Sequence, residues 1–287
     1  SLNEVVFQKQ LGSMHDKSQR VAALASWIAE QTDGDPEVAA RAGMLSRCDL
    51  MTEMVGEFAD MQGIMGRYQL KRDGESDELA RSMEEFYLPR FSGDRLPQSK
   101  TGIAIALAER IDTLTGIFGI NQKPTGDRDP FGLRRAALGA LRILKEHQLP
   151  LSLMALLQQS CGLLADRVTN NNLAADVYDF MLERLRGIYA DEGVSSELFH
   201  AVAAVKPETL LDFDQRIRAV DAFRRLPEAE SLAAANKRIR NLLKKAEVQI
   251  ASDVDTTLFT EQTETTLYQQ LQSTLATVEP RLAQHDF

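Results

Sequence analysis

The chain has 287 residues, 44% of them hydrophobic and 26% charged, with a formal charge of −9. That balance excludes disordered and fibrous proteins, and at roughly 100–200 residues per domain it predicts two or three globular domains. Cys48 and Cys161 are too few and too far apart for a disulfide framework or a thiolate zinc site, which points to a reducing cytoplasm, and no apolar run approaches the ~20 residues of a membrane span.

The opening Ser1 to Phe7 carries no initiator Met and reads as the interior of a longer protein. From Arg20, the residues Val21, Leu24, Ala25 and Ile28 recur at helical spacing. Asp33 to Pro36 breaks that pattern, with Asp35 as N-cap and Pro36 in the first turn of the next helix. This next helix is expected to carry Val38, Ala42, Leu45, Leu50, Met54 and Phe58 toward a core. Gly63, Gly66 and the turn at Asp73 to Glu75 punctuate the segment after it. Leu79 to Tyr87 is a short amphipathic helix ended by Pro89, residues 88–100 form a loop, and an apolar helix resumes from Gly102 to Phe118. A second loop runs from Gly119 to Pro130, where Asp129 can cap a helix over Phe131 to Leu144. Helices continue after Pro150, with a long one over Leu232 to Ile250 and an amphipathic tail around Leu267, Leu271, Leu275 and Val278. Convincing strands are absent, so the fold class is all-α.

Charge is unevenly placed. Residues 234–245 hold Lys237, Arg238, Arg240, Lys244 and Lys245 and no acid. Residues 123–145 hold six bases against two acids, while residues 246–287 are strongly acidic. An acidic total excludes a uniformly basic surface but leaves room for a local basic face. On a helix, Lys237, Arg240 and Lys244 fall on one stripe that can follow a phosphate backbone, with Asn241 beside it as a reader of base edges. The bland alternative is a solvated basic face paired with acidic neighbours. In the loop from Pro124 to Phe131 the prolines stiffen the chain, and the adjacent Arg134 and Arg135 cannot point the same way at ~100° per residue. That loop reads equally well as a hinge.

Catalytic chemistry finds little support. The pairs His15–Asp16 and His285–Asp286 sit in a turn and at the chain end, and His147 and His200 lie on polar segments. No Gly-rich phosphate loop follows a strand, so an autonomous ATP site is not expected. Ala42 to Leu50 resembles the helix that carries the dyad of a histidine-aspartate (HD) phosphohydrolase, with Cys48 where the His belongs, and Ala106 to Leu114 resembles the helix supplying its last Asp. Asp49 and Asp112 remain of that set. They are either vestigial, satisfied by neighbours such as Arg47 or Arg110, or two ligands of a metal-dependent hydrolase.

Seven stretches together carry a resemblance: Gln8 to Met14, Arg41 to Leu45, Cys48 to Val55, Gln62 to Gly66, Asp129 to Gly139, Phe180 to Arg184 and Ala233 to Leu243. They look like the beta subunit of bacterial glycyl-tRNA synthetase. The resemblance implies a degenerate HD-type helical domain over 1–148, a helical connector over 149–226, and a truncated start of a helical anticodon-binding domain over 227–287. It implies a heterotetrameric, cytoplasmic glycine–tRNA ligase whose alpha subunit performs the chemistry with ATP and Mg. Within this stretch of the beta subunit it implies no catalytic residue, no metal and no cofactor, and no activity in isolation. The expected partners are tRNA-Gly and the alpha subunit, with no membrane. The residues expected to meet tRNA are Lys237, Arg238, Arg240, Asn241, Lys244, Arg134 and Arg135. The alternatives are the hydrolase built on Asp49 and Asp112, and a purely structural helical scaffold.

Overall fold

A computed structural model describes residues 1–245 and 254–284. Helix dominates them, as the periodicity requires, and the only sheet among them is a minute antiparallel pair, β1 (Val6–Gln8) with β2 (Gly12–Ser13). The sequence does not announce that hairpin, because three residues are too few to establish a period of two. The chain divides into two compact units, Ser1–Leu211 and Asp212–Phe287.

In the first unit, α1 (Met14–Gln31) starts on Ser13, whose hydroxyl accepts from the Asp16 N–H while the Asp16 carboxylate accepts from the Ser13 N–H. This reciprocal cap, a capping box, occupies Asp16 of the first His-Asp pair. Helix α2 (Pro36–Leu45) starts as expected, on an Asp35 carboxylate that accepts from Glu37 and Val38. It does not continue to Phe58. It gives way to a 3₁₀ turn at Cys48–Met51 and to α3 (Glu53–Glu57), because the Thr52 hydroxyl donates to the Asp49 carbonyl and accepts from the Val55 N–H. Ala42 is therefore buried, while Met54 and Phe58 are exposed.

Helices α4 (Ile64–Arg72) and α5 (Asp77–Glu85) pack on one another. The centre of the unit is α6 (Lys100–Gly119), packed against α1, α2, α5, α7 (Leu133–Glu146), α8 (Leu153–Gly162) and α9 (Leu173–Asp191). Every residue of α6 is buried except Lys100, Glu109 and Thr113. The unit is completed by α10 (Ser196–Ala204).

Helix α11 (Leu210–Arg224) leads into the second unit, which continues with α12 (Ala229–Lys245) and α13 (Gln262–Ala283). Residues 246–250 of the expected long helix lie outside the described residues, as does His285–Asp286. Beyond Ala229 every described side chain of α12 is exposed, including Leu232, Ile239, Leu242 and Leu243. No helix among the described residues is long and apolar enough to cross a membrane.

Candidate functional site

The most polar part of the first unit lies where α6 breaks its own apolar pattern. Glu109 and Thr113 are four residues apart and so share a face. They open onto a cleft of about 720 Å³ whose walls include Arg47, Tyr87, Arg110, Phe131 and Arg135.

Beneath this face lies a network of buried charge. Lys17 of α1 donates from Nζ to Asp112 Oδ2 at 2.9 Å and to the Thr113 hydroxyl at 2.8 Å, and it lies 3.4 Å from Glu109 Oε1. Arg20 grips the same Asp112 with Nε at 2.6 Å from Oδ1 and Nη2 at 3.3 Å from Oδ2. Arg47 pairs with Glu109. Burial pushes the Asp112 and Glu109 carboxyls upward, but Lys17 and Arg20 around the first, and Arg47 and Lys17 around the second, outweigh it and hold both below the usual carboxylate range. Asp49 goes the other way. Its Oδ2 accepts the Gly63 N–H at 2.6 Å, yet burial raises its carboxyl above the usual value.

The expected partners of the two aspartates are thus replaced by others. Asp112 is neutralised by Lys17 and Arg20, and Asp49 leans on backbone. Arg110 instead donates to the carbonyls of Ala106, at 2.7 Å, and Pro89, at 2.9 Å, and burial lowers it to about 10. A hydrolytic metal does not fit this donor set. Both oxygens of Asp112 already face cations, Cys48 is exposed, and among the described residues no group of three or more His, Cys, Asp or Glu side chains could hold an ion. Sequence periodicity could not find Lys17 as the counter-charge, because 95 residues separate it from Asp112.

The loop before α7 behaves partly as expected. Asp129 caps the helix, accepting from the Leu133 and Arg134 N–H groups at 2.8 and 2.9 Å. The helix itself begins at Leu133 rather than Phe131, because Gly132 turns the chain with φ +65°. Arg134 and Arg135 diverge. The Arg134 guanidinium donates back to the Gly126 carbonyl, whereas Arg135 is exposed, lines the cleft and lies over Gly132, 3.4 Å from where a Cβ on that glycine would stand.

Among the described residues five buried side-chain polar atoms have no hydrogen-bond partner: Arg47 Nε, Asp49 Oδ1, Tyr87 Oη, Glu109 Oε2 and His147 Nε2. His147 is therefore half-buried rather than a solvated surface group, while His200 is exposed with its ring edge-on to Phe199. Three of the five belong to walls of the cleft, and of these the sequence assigns no role to Tyr87 or Glu109. The detectable signal was Glu109 interrupting an apolar helix.

In the second unit, α12 presents Lys237, Arg238, Arg240, Asn241 and Lys244 on exposed helix. None of its five bases is bonded to a carboxylate among the described residues, whereas Arg216 and Arg218 of α11 pair with aspartates four positions away. The apolar Ile239, Leu242 and Leu243 are exposed on the same helix.

The family profile described as glycyl-tRNA synthetase beta subunit matches residues 1–204. The glycine–tRNA ligase beta subunit of Mannheimia succiniciproducens is 50% identical over 286 residues, which is 100% of this chain and 42% of that protein. The beta subunit of Ectopseudomonas mendocina is 51% identical over 286 residues, again 100% of this chain and 42% of the relative. The beta subunit of Haemophilus influenzae is 50% identical, with 41% of its length covered. The chain thus spans about two-fifths of the length of the curated relatives it matches. The profile covers more than two thirds of the chain, and the chain belongs to the glycyl-tRNA synthetase beta subunit family.

Proposed function

We propose that this chain is a tRNA-recognising, non-catalytic part of a glycine–tRNA ligase. The ligase joins glycine to tRNA-Gly in the cytoplasm with ATP and Mg, and the bond-making occurs in an alpha subunit. The observation that carries the reading is α12, exposed beyond Ala229 with five bases and no acid between residues 234 and 245. Lys237, Arg240 and Lys244 form the stripe that meets phosphates, Arg238 flanks it, and Asn241 reaches a base edge. Arg135 offers a second cationic contact in the first unit, with Arg134 stiffening the loop that presents it. The names of the relatives, with which this chain shares about half of its own residues along its whole length, support the same assignment. On this reading residues 1–148, 149–226 and 227–287 are the HD-like, connecting and anticodon-side modules, and the buried network at Asp112 is structural.

The test is tRNA binding by the whole ligase in which Lys237, Arg240 and Lys244 are replaced by alanine. Each lost phosphate contact removes about 0.7–0.9 from the slope of log K against log salt, so the triple variant is expected to reduce that slope by roughly 2–3 and to weaken binding most at low salt. An unchanged slope removes the stripe from the site.

A further inference from the structure

The cleft beside α6 has no part in tRNA recognition by α12, yet its construction is that of a ligand site. Its volume of about 720 Å³ lies within the range of small-molecule pockets. Arg47, Tyr87 and Glu109 line it, and each keeps one polar atom buried from solvent and without a partner. Buried polar atoms without partners are unfavourable, so three among the walls of one cleft call for a complementary group. What they offer is specific. Arg47 Nε is a donor, Glu109 Oε2 is an acceptor, and the Tyr87 hydroxyl serves as either. Phe131 adds a second aromatic wall. The walls also include Arg90 and Arg135, both exposed, with neither guanidinium bonded to a carboxylate among the described residues.

Alternating donor and acceptor groups beside aromatic rings suit the edge of a planar heterocycle, and paired guanidinium groups suit a phosphate. We propose that this cleft binds a nucleotide, with its base against Tyr87 and Phe131, its polar edge toward Arg47 and Glu109, and its phosphate at Arg90 and Arg135. The same chemistry describes a free mononucleotide and an unpaired nucleotide of an RNA. The inference shares Arg135 with the tRNA reading and otherwise stands apart from it.

The experiment is equilibrium dialysis of the 287-residue chain against the four nucleoside 5′-monophosphates, with ribose 5-phosphate and inorganic phosphate as probes lacking the base. Saturable one-to-one binding of at least one nucleotide is expected, with Kd below about 1 mM and at least about tenfold tighter than ribose 5-phosphate. Arg135→Ala is expected to weaken it about tenfold, the worth of one charge-assisted hydrogen bond, and Tyr87→Phe severalfold, whereas Arg72→Ala, on α4, leaves it within twofold. Tyr87→Phe keeps the ring and so guards against a folding artefact. Competition by a single-stranded oligonucleotide assigns the site to RNA, and nucleotide binding without such competition assigns it to the free pool. Nucleotides binding no tighter than ribose 5-phosphate, or equally well to wild type and both cleft variants, overturn the proposal. The α12 variants test the tRNA reading separately, because they leave the cleft intact.

Discussion

Asp112 shows how much one residue decides. It is buried among Lys17 and Arg20, and its removal strands Arg20 in a low-dielectric interior and leaves Lys17 only Glu109, 3.4 Å away. Breaking one partner of a buried ion pair is strongly destabilising, because the charge left behind has neither water nor counter-ion. Asp112→Asn is therefore expected to destabilise the first unit by about 3–5 kcal/mol, read from urea unfolding at neutral pH. The acid response rests on the same groups. A carboxylate whose pKa is depressed by folding contributes stability that is present above its unfolded value, about 4, and lost as pH falls through the folded one. Asp112 and Glu109 are of this kind, as is Asp16, held at about 2 by the Ser13 N–H and by Arg167. Asp49, raised by burial, opposes them, since the folded state takes up its proton more readily. Glu75, Asp77, Glu84 and Asp176 are depressed as well, by their basic partners, so seven depressed carboxylates of the first unit outnumber one raised, and the urea midpoint is expected to fall below about pH 4, less steeply in Asp112→Asn. Asp112 is legible in the sequence as a polar residue in an apolar helix. Its partners are not, because a contact across 95 positions leaves no local period.

At the scale of elements, caps and close approaches set what the periodicity leaves open. Asp35, Ser13 and Asp129 each satisfy free N–H groups at a helix start; Asp35 and Asp129 were readable ahead of an apolar pattern, whereas Ser13 was not, because the apolar pattern of α1 begins only at Val21. The end of α2 was not readable. Leu50, Met54 and Phe58 keep helical spacing, but Thr52 bonds locally and restarts the chain, leaving Met54 and Phe58 in solvent. The packing of α1 on α2 depends on Gly43, where an added Cβ would stand 2.5 Å from Ala22 Cα and 2.7 Å from its nitrogen. Both obstacles are backbone, so the helices must separate to admit a methyl. Gly43→Ala is expected to lower stability by about 1–3 kcal/mol despite its higher helix propensity, as thermal unfolding would measure.

Over the whole molecule the two units differ in how much they bury. The first holds α6 as a nearly solvent-free axis, whereas the described part of the second buries little beyond Phe213, Ile217 and Ala229. Local opening is easiest where few apolar contacts must break. Amide hydrogen exchange is therefore expected to be slowest along α6 and fastest along α12 and α13, by orders of magnitude; comparable protection would contradict a core centred on α6. The same contrast suits the proposed division of labour, in which a rigid first unit carries the cleft and an exposed basic helix meets RNA.

Residue order was enough to establish that the fold is helical, which aspartates cap α2 and α7, that α12 is basic, and which family the chain resembles. Periods, caps and charge runs are written in neighbouring residues, and these are properties of neighbouring residues. It took the folded chain to show that Lys17 and Arg20 neutralise Asp112, that α2 stops at Leu45, and that Arg47, Tyr87 and Glu109 meet at one cleft. Those outcomes depend on which distant side chains burial brings together, where the loss of water makes charge pairing decisive.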